Sequence, residues 1–173
     1  MNRKLKLVRL SEEHTVAMKE EMQEAFQCGF LSYHKDDTNQ WQVLPDKDFY
    51  RSLEADGAEA YEAIDADGER VGGAIIAIDK KKHRGELAFL YVKVGIQSKG
   101  VGQAIWKAIE ALHPETEVWE TCTPYFDLRN IHFYINRCGF HAVEFFNDHH
   151  PDPNMPEQFD QADGLFKFEK KIK

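Results

Sequence analysis

The stretch Leu90-Tyr91-Val92-Lys93-Val94-Gly95-Ile96-Gln97-Ser98-Lys99-Gly100-Val101-Gly102 runs from an apolar segment through a small-residue turn into a helical pattern. The turn has the form Gln-x-x-Gly-x-Gly. Backbone N–H groups at such a turn, and in the first turn of the following helix, lack internal partners and carry partial positive charge. Together they can hold a phosphate or pyrophosphate. A side chain at Gly100 or Gly102 would stand between the backbone and the anion. Two other glycine motifs do not fit. A dinucleotide fingerprint needs a third glycine where Ile105 stands, and a P-loop needs Gly-Lys-Ser/Thr where Val101-Gly102-Gln103 follows Gly100.

The elements that must position this turn follow from periodicity. Leu5 to Leu10 predicts a strand, and Ser11 a cap for a helix that ends near Cys28-Gly29. Residues 30–45, with Phe30, Tyr33, Trp41 and Pro45, give no assignment. Asp46 caps a short helix through Leu53. Strands at 59–64 and 70–78 flank the turn Asp65-Ala66-Asp67-Gly68, a good hairpin signal. The basic run Lys80 to Arg84 reads as a solvated turn, with a ligand-phosphate contact as the other reading. A third strand, 86–94, is apolar on both faces, as a central strand is.

Val101, Ala104, Ile105, Ala108, Ile109 and Leu112 then mark one face of a helix that Pro114 stops. A strand at 118–123, a helix at 129–138 ended by Gly139, a strand at 140–146, a polar loop at 147–163 and a last strand at 165–169 complete the chain.

Composition narrows the function classes. The chain has 173 residues, 42% of them apolar, which suits one domain with a sizeable core. Its net charge of −8 argues against a nucleic-acid partner and leans toward cationic substrates. No apolar run approaches the roughly 20 residues of a membrane helix. The basic start Met1 to Lys6 lacks the apolar core of a signal segment and reads as unprocessed. Three cysteines (Cys28, Cys122, Cys138), odd in number and without a Cys-x-x-Cys, fit a reducing cytoplasm and no structural zinc. His149 and His150 are adjacent and diverge; His132 and His141 sit on different elements. No metal is expected.

A meander, a Gln-x-x-Gly-x-Gly turn, a helix, a strand, and a second helix with Asn130 that ends in Cys138-Gly139-Phe140 resemble the GNAT N-acetyltransferases. The similarity covers about residues 5–172 and is strongest over 87–140. It implies an α/β fold: a single domain over 1–173 with a mixed, mostly antiparallel sheet of six or seven strands and about four helices. It implies acetyl-CoA as cosubstrate. The pantetheine arm would pair with the strand near Val92 and Val94, and the pyrophosphate would rest on Gln97, Ser98, Lys99, Gly100, Val101 and Gly102. Asn130 matches an asparagine that contacts the pantetheine. Two parallel strands, 87–94 and 118–123, would splay apart to open a V for the cofactor.

Acyl transfer to an amine needs a base for the ammonium, donors for the oxyanion and a proton for the departing thiolate. Such enzymes let the amine attack directly, so Cys122 and Cys138 read as packing residues. Glu86 matches the base by its place eleven residues before Gln97; on a regular strand it shares a face with Ala88, Leu90 and Val92, and its other reading is a solvated strand start. Glu120, mid-strand among apolar neighbours, is a second base candidate. Tyr134 is the acid candidate. It departs from the family's pattern, because it lies five residues before Gly139 where four is usual, and Ile135 occupies that place. One residue is about 100° of helix, so Tyr134 is either the acid in an altered helix or a core aromatic, with Tyr125 as fallback.

The resulting expectation is N-acetylation of a primary amine, on a small molecule or else on a lysine-bearing peptide. The reading from another class is a non-catalytic acyl-CoA-binding module. The 147–163 loop would cap the acceptor site or pack in a homodimer.

Overall fold

The computed structural model of the protein describes residues 4–33, 43–96, 100–153 and 164–172. Turn chemistry sets its first hairpin. Asp65 Oδ1 accepts hydrogen bonds from the backbone N–H groups of Asp67 (2.9 Å) and Glu69 (3.0 Å), and Gly68 closes the turn at a φ of +85°. This joins strand β2 (Ala58–Asp65) to β3 (Arg70–Asp79), whose Val71 to Ile76 are all buried. β1 (Leu5–Arg9) pairs with the outer edge of β2, and the exposed run Lys80 to His83 turns β3 into β4 (Arg84–Val92). The basic run is thus a solvated turn, except for Arg84, which turns back onto the sheet.

The remaining strands are β5 (Val118–Pro124), β6 (His141–Phe146) and β7 (Leu165–Lys171). Among the described residues the sheet has seven strands in the order β1-β2-β3-β4-β5-β7-β6, and only β4 and β5 run parallel. The expected mixed, mostly antiparallel sheet is therefore present.

Helices cover both faces. α1 (Thr15–Tyr33) and α2 (Asp46–Glu54) bury Met18, Met22 and Phe49 against Ile75 and Tyr91. α3 (Val101–Leu112) buries Val101, Ile105, Trp106 and Ile109 on the opposite face, with Trp119, Phe140 and Phe168. Trp106 meets Trp119 edge to face at 5.1 Å and Phe140 at 5.1 Å, so three large rings interlock. α4 (Leu128–His132) continues as one π-helical turn, Phe133–Arg137.

Three boundaries, at the two ends of α1 and the end of β4, differ from the sequence reading. α1 does not stop at Gly29 but runs on to Tyr33, because packing of its apolar face outweighs one glycine's helix cost of about 1 kcal/mol. It also opens with a 3₁₀ turn, Glu12–His14, and Ser11 makes no side-chain cap. β4 ends at Val92, so Val94 lies in a turn past the strand rather than in it. Trp41, in the segment that gave no assignment, lies outside the described residues.

An ionic cluster pins α1 to the sheet. Arg70 donates to Glu21 (2.8 Å) and Glu62 (2.5 Å), His14 contacts Glu62 at 3.0 Å, and the Tyr91 hydroxyl donates to Glu21 at 2.9 Å. A cleft of about 890 Å³ opens beside this cluster; none of Glu86, Glu120 and Tyr134 lines it.

Close packing under the β4–β5 pair gives a stability prediction. A Cβ on Gly85 would stand 2.6 Å from the Trp119 ring, and Trp119 is fully buried. Gly85→Ala is expected to lower unfolding free energy by about 1–3 kcal/mol through overpacking, read from urea denaturation. An unchanged midpoint would contradict this placement of the Trp119 ring.

Candidate active site

The site is built where a strand ladder stops. β4 and β5 pair in parallel only at Arg84↔Val118, Gly85↔Trp119 and Glu86↔Glu120. Beyond Glu86, β4 continues to Val92 and β5 to Pro124 without pairing, so the two strands diverge. The expected V is present, with its apex after Glu86 and Glu120. At that apex a side chain takes over from the ladder: the Thr121 hydroxyl donates to the Leu87 carbonyl at 2.9 Å, and Thr121 is 2% exposed.

β4 also carries a bulge. Ile75 pairs with Phe89 and Ile76 with Leu87, leaving Ala88 as the extra residue. The bulge inverts the faces beyond it. Leu87, Leu90 and Val92 pack with the α3 core, whereas Ala88, Phe89 and Tyr91 pack with the α1 core. Glu86, which alternates with Leu87, therefore shares its face with Ala88, Phe89 and Tyr91. The regular-strand expectation that it sits beside Leu90 and Val92 is corrected.

Glu86 is solvent-accessible, yet the dense protein around its carboxyl strips away much of its hydration. This desolvation raises its pKa above the ordinary 4.5; the charges of Glu120 and Asp152 raise it further, against Lys167. Glu120 lies in register beside it but in different surroundings from those expected. Its neighbours on this face are charged, not apolar: Arg84 pairs with Glu120, Lys167 lies 3.7 Å from it, and Glu169 is 3.4 Å from Arg84. Two cations hold the Glu120 charge, while none lies within ion-pair distance of Glu86 among the described residues.

Cys122, two residues on, is solvent-accessible rather than packed as expected, yet desolvation by the surrounding protein, and then Asp152 and Glu86, push its thiol up to about 12. It stays a thiol at neutral pH and is a poor nucleophile. Asp152 brings the described part of the 147–163 loop to the same face, and Glu144 holds His150 there at 2.7 Å. Above the V on this face, α1 sends Phe26 to Phe89 (6.0 Å between ring centres) and Phe30 to Phe126 (5.8 Å).

Tyr134 approaches from the other face. It is 6% exposed and packs on Phe140 and Phe168, while Ile135, at the place one residue on, is 37% exposed. The π turn explains the departure in spacing. Its bond from Cys138 N–H to the Phe133 carbonyl, 3.0 Å, spans five residues where an α-helix spans four. The extra residue is absorbed, and Tyr134 turns inward. Burial raises the pKa of its hydroxyl well above that of a free phenol.

The two glycines of the turn have different reasons. Gly100 caps α3 in the left-handed region at φ +78° with open space where a Cβ would point. That leaves an accessible cradle at a helix N-terminus, where an anion would be held. A Cβ on Gly102 would instead press on the Phe133 ring at 3.1 Å, with Val92 at 3.5 Å, so Gly102 is a packing glycine that links β4, α3 and the helix bearing Tyr134. Gln97, Ser98 and Lys99 lie outside the described residues. The Asn130 side-chain amide donates to Asp127 at 2.8 Å, in the first turn of α4. Among the described residues no group of three or more His, Cys, Asp or Glu is disposed to hold a metal.

Sequence reasoning missed Thr121, Arg84, Lys167 and Asp152. The first is a small β-branched residue in a strand, with no local signal of its role. The other three are ordinary charges until the sheet order brings β4, β5 and β7 together.

The family model of the acetyltransferase (GNAT) family matches residues 15–140, and the chain belongs to that family. It is 43% identical over 134 residues to the uncharacterised protein YrkN of Bacillus subtilis, covering 78% of this chain and 71% of that one. Spermidine N-acetyltransferase from Vibrio cholerae, solved with CoA and spermine, matches at a TM-score of 0.65 and 12% identity over 96% of this chain and 95% of that one. The ribosomal-protein-S18-alanine N-acetyltransferase of Escherichia coli matches at 0.67 and 13% identity over 98% and 94%. At these identities the two structures show a common fold. Among the described residues no helix is long and apolar enough to cross a membrane.

Proposed function

We propose that the protein transfers an acetyl group from acetyl-CoA to a primary amine by direct attack, with Glu86 as base and Tyr134 as acid. One observation carries this reading: the V between β4 and β5 is an opening through the sheet, with Glu86 on one face of its apex and Tyr134 on the other. An amine can enter from the α1 face while a thiolate departs toward the α4 face.

The family membership and the open Gly100 cradle support acetyl-CoA as donor, its pyrophosphate on the turn 97–102 and its pantetheine along Val92 and Val94 beside Asn130. The chain's own groups then act in order. Glu86, its pKa raised, takes the ammonium proton and leaves the nitrogen lone pair free. The C–N bond forms, the C–S bond breaks, and the Tyr134 hydroxyl gives its proton to the sulfur. The proton held on Glu86 leaves to solvent, and the second proton, lost by the nitrogen after the C–N bond forms, replaces the one Tyr134 gave to the sulfur. Glu120, neutralised by Arg84 and Lys167, is assigned to holding this face in place.

The aromatic cover of Phe26, Phe30, Phe89 and Phe126 supports a small-molecule acceptor over a peptide. The three unpaired cysteines support a cytoplasmic setting.

Calorimetric titration with acetyl-CoA is expected to give a single site with micromolar affinity, on the order of −8 kcal/mol. No heat at 1 mM ligand, about −4 kcal/mol, would overturn the reading. A thiol-release screen over small amines and lysine-bearing peptides then separates the acceptor classes. Binding without turnover on any amine would leave a CoA-binding module instead.

A further inference from the structure

We infer that Arg84 is a positioning residue that draws the Glu120 carboxylate away from Glu86, so that of two carboxylates set side by side at the apex of the V only Glu86 is left to exchange a proton. The inference rests on the assignment of Glu86 as base and adds a residue that the assignment does not itself require.

Strand register sets three carboxylates in a row. Glu86 on β4 is opposite Glu120 on β5, and Glu120 is opposite Glu169 on β7. Register partners project to the same face, and neighbouring strands lie about 4.8 Å apart. Like charges so placed repel, and Glu86 and Glu120 left to themselves would hold a proton between them. His141 on β6 continues the row beside Glu169.

Arg84 lies two residues before Glu86 on the same strand and face. Its guanidinium does not turn along β4 to Glu86 but reaches across β5. There it donates to Glu120 and lies 3.4 Å from Glu169. A guanidinium carries several N–H donors in one plane, so a single side chain can hold both carboxylates. Lys167 approaches Glu120 at 3.7 Å. The two cations thus serve the second and third carboxylates of the row, and among the described residues none pairs with the first.

The other charged groups on this face do not change that balance. Lys171 stands a row further off, opposite Val118, and Glu144 is engaged with His150 at 2.7 Å. Asp152 adds negative charge near Glu86, and on α1 Glu21 pairs with Arg70. Without Arg84, Glu120 would face Glu86 with Lys167 alone against it, and Glu86 would keep its proton to higher pH.

The test uses the full chain in two readouts. NMR titration of protein carrying isotope-labelled glutamate follows the Glu86 carboxyl, whose signal is identified by its loss in Glu86→Gln. The pH profile of kcat/KM is taken with acetyl-CoA and the best amine from the thiol-release screen. Arg84→Gln is expected to move the Glu86 midpoint, and the acid limb with it, up by about one pH unit, which is about tenfold in rate at a pH on the limb. Arg84→Lys, which keeps the charge, should recover most of that shift. Glu120→Gln should move both readouts down, and the double variant Arg84→Gln/Glu120→Gln should return them toward the wild type.

A Glu86 midpoint unmoved in Arg84→Gln would overturn the inference, and so would one unmoved in Glu120→Gln. A merely structural role would lower the rate at every pH, leave the midpoint in place and gain nothing from Glu120→Gln, which also overturns it. A midpoint that shifts as expected beneath an unmoved acid limb would support the hold of Arg84 on Glu120 and remove Glu86 as the base. Thermal melts of each variant, and the lysine rescue, separate these outcomes from loss of folded protein.

Discussion

Glu86→Gln is expected to lower kcat/KM for acetyl transfer by about 100- to 10,000-fold at neutral pH, the usual worth of a general base. The variant keeps the side chain's length and its hydrogen-bonding shape and loses only the ability to take a proton. In the wild type the rate should fall as pH drops through the Glu86 pKa, which lies above the ordinary 4.5 because of desolvation, Glu120 and Asp152. That limb should vanish in the variant, leaving only the limb set by the acceptor's own ammonium. An unchanged rate with an unchanged acid limb would remove Glu86 from the mechanism.

The same substitution has an opposite effect on stability, and the sign follows from linkage. A carboxyl whose folded pKa is raised binds more protons in the native state than in the unfolded one. Stability therefore falls as pH rises from the unfolded value through the folded one, and stays lowered above it. At pH 7 the Glu86 charge is a standing cost of the fold, so Glu86→Gln should melt at a higher temperature than the wild type. At pH 4, where the carboxyl is protonated in the folded protein, the difference should close. A catalyst that sacrifices stability to keep a desolvated carboxylate is the expected trade-off at such a site.

Tyr134→Phe is the second large effect. It removes one oxygen and keeps the ring that packs on Phe140 and Phe168. Its kcat is expected to fall about 100-fold with KM for acetyl-CoA unchanged, because the lost proton is needed only as the thiolate leaves. Loss of the buried hydroxyl should cost about 1 kcal/mol of stability, small enough to leave the protein folded. With a more acidic thiol as leaving group the deficit should shrink, since such a sulfur departs without help. A deficit that does not depend on the leaving group would make Tyr134 a core aromatic and nothing more.

Much of the fold was legible in local sequence. The Asp65-Ala66-Asp67-Gly68 turn, the apolar face of Val101, Ile105 and Ile109, and the stop at Pro114 each reflect interactions within a few residues, and each stands where periodicity and turn chemistry place it. Gly29 misled because the cost of one glycine is local, while the packing that carries α1 to Tyr33 is not. Glu86 was given the wrong face-mates because alternation assumes a regular strand, and the bulge at Ala88 is decided by the pairing of β4 with β3. Glu120 was given apolar surroundings because its sequence neighbours point to the other face. Its partners come from β4 and β7, residues 84, 167 and 169, which only the strand order brings near.

By itself the sequence pointed to a phosphate-bearing ligand and to a place for it: a glycine turn between a central strand and an amphipathic helix offers backbone N–H groups to an anion. The candidates Glu86 and Tyr134 were also visible as residue types on the right elements. What the tertiary structure decided is how they meet. Strand pairing stops after Glu86 and Glu120, a π turn absorbs the residue that put Tyr134 out of phase, and the two groups end on opposite faces of one gap closed at its apex by Thr121. The reason is range: cradle and cap are set by backbone groups a few bonds apart, whereas an opening through a sheet exists only where distant strands fail to pair.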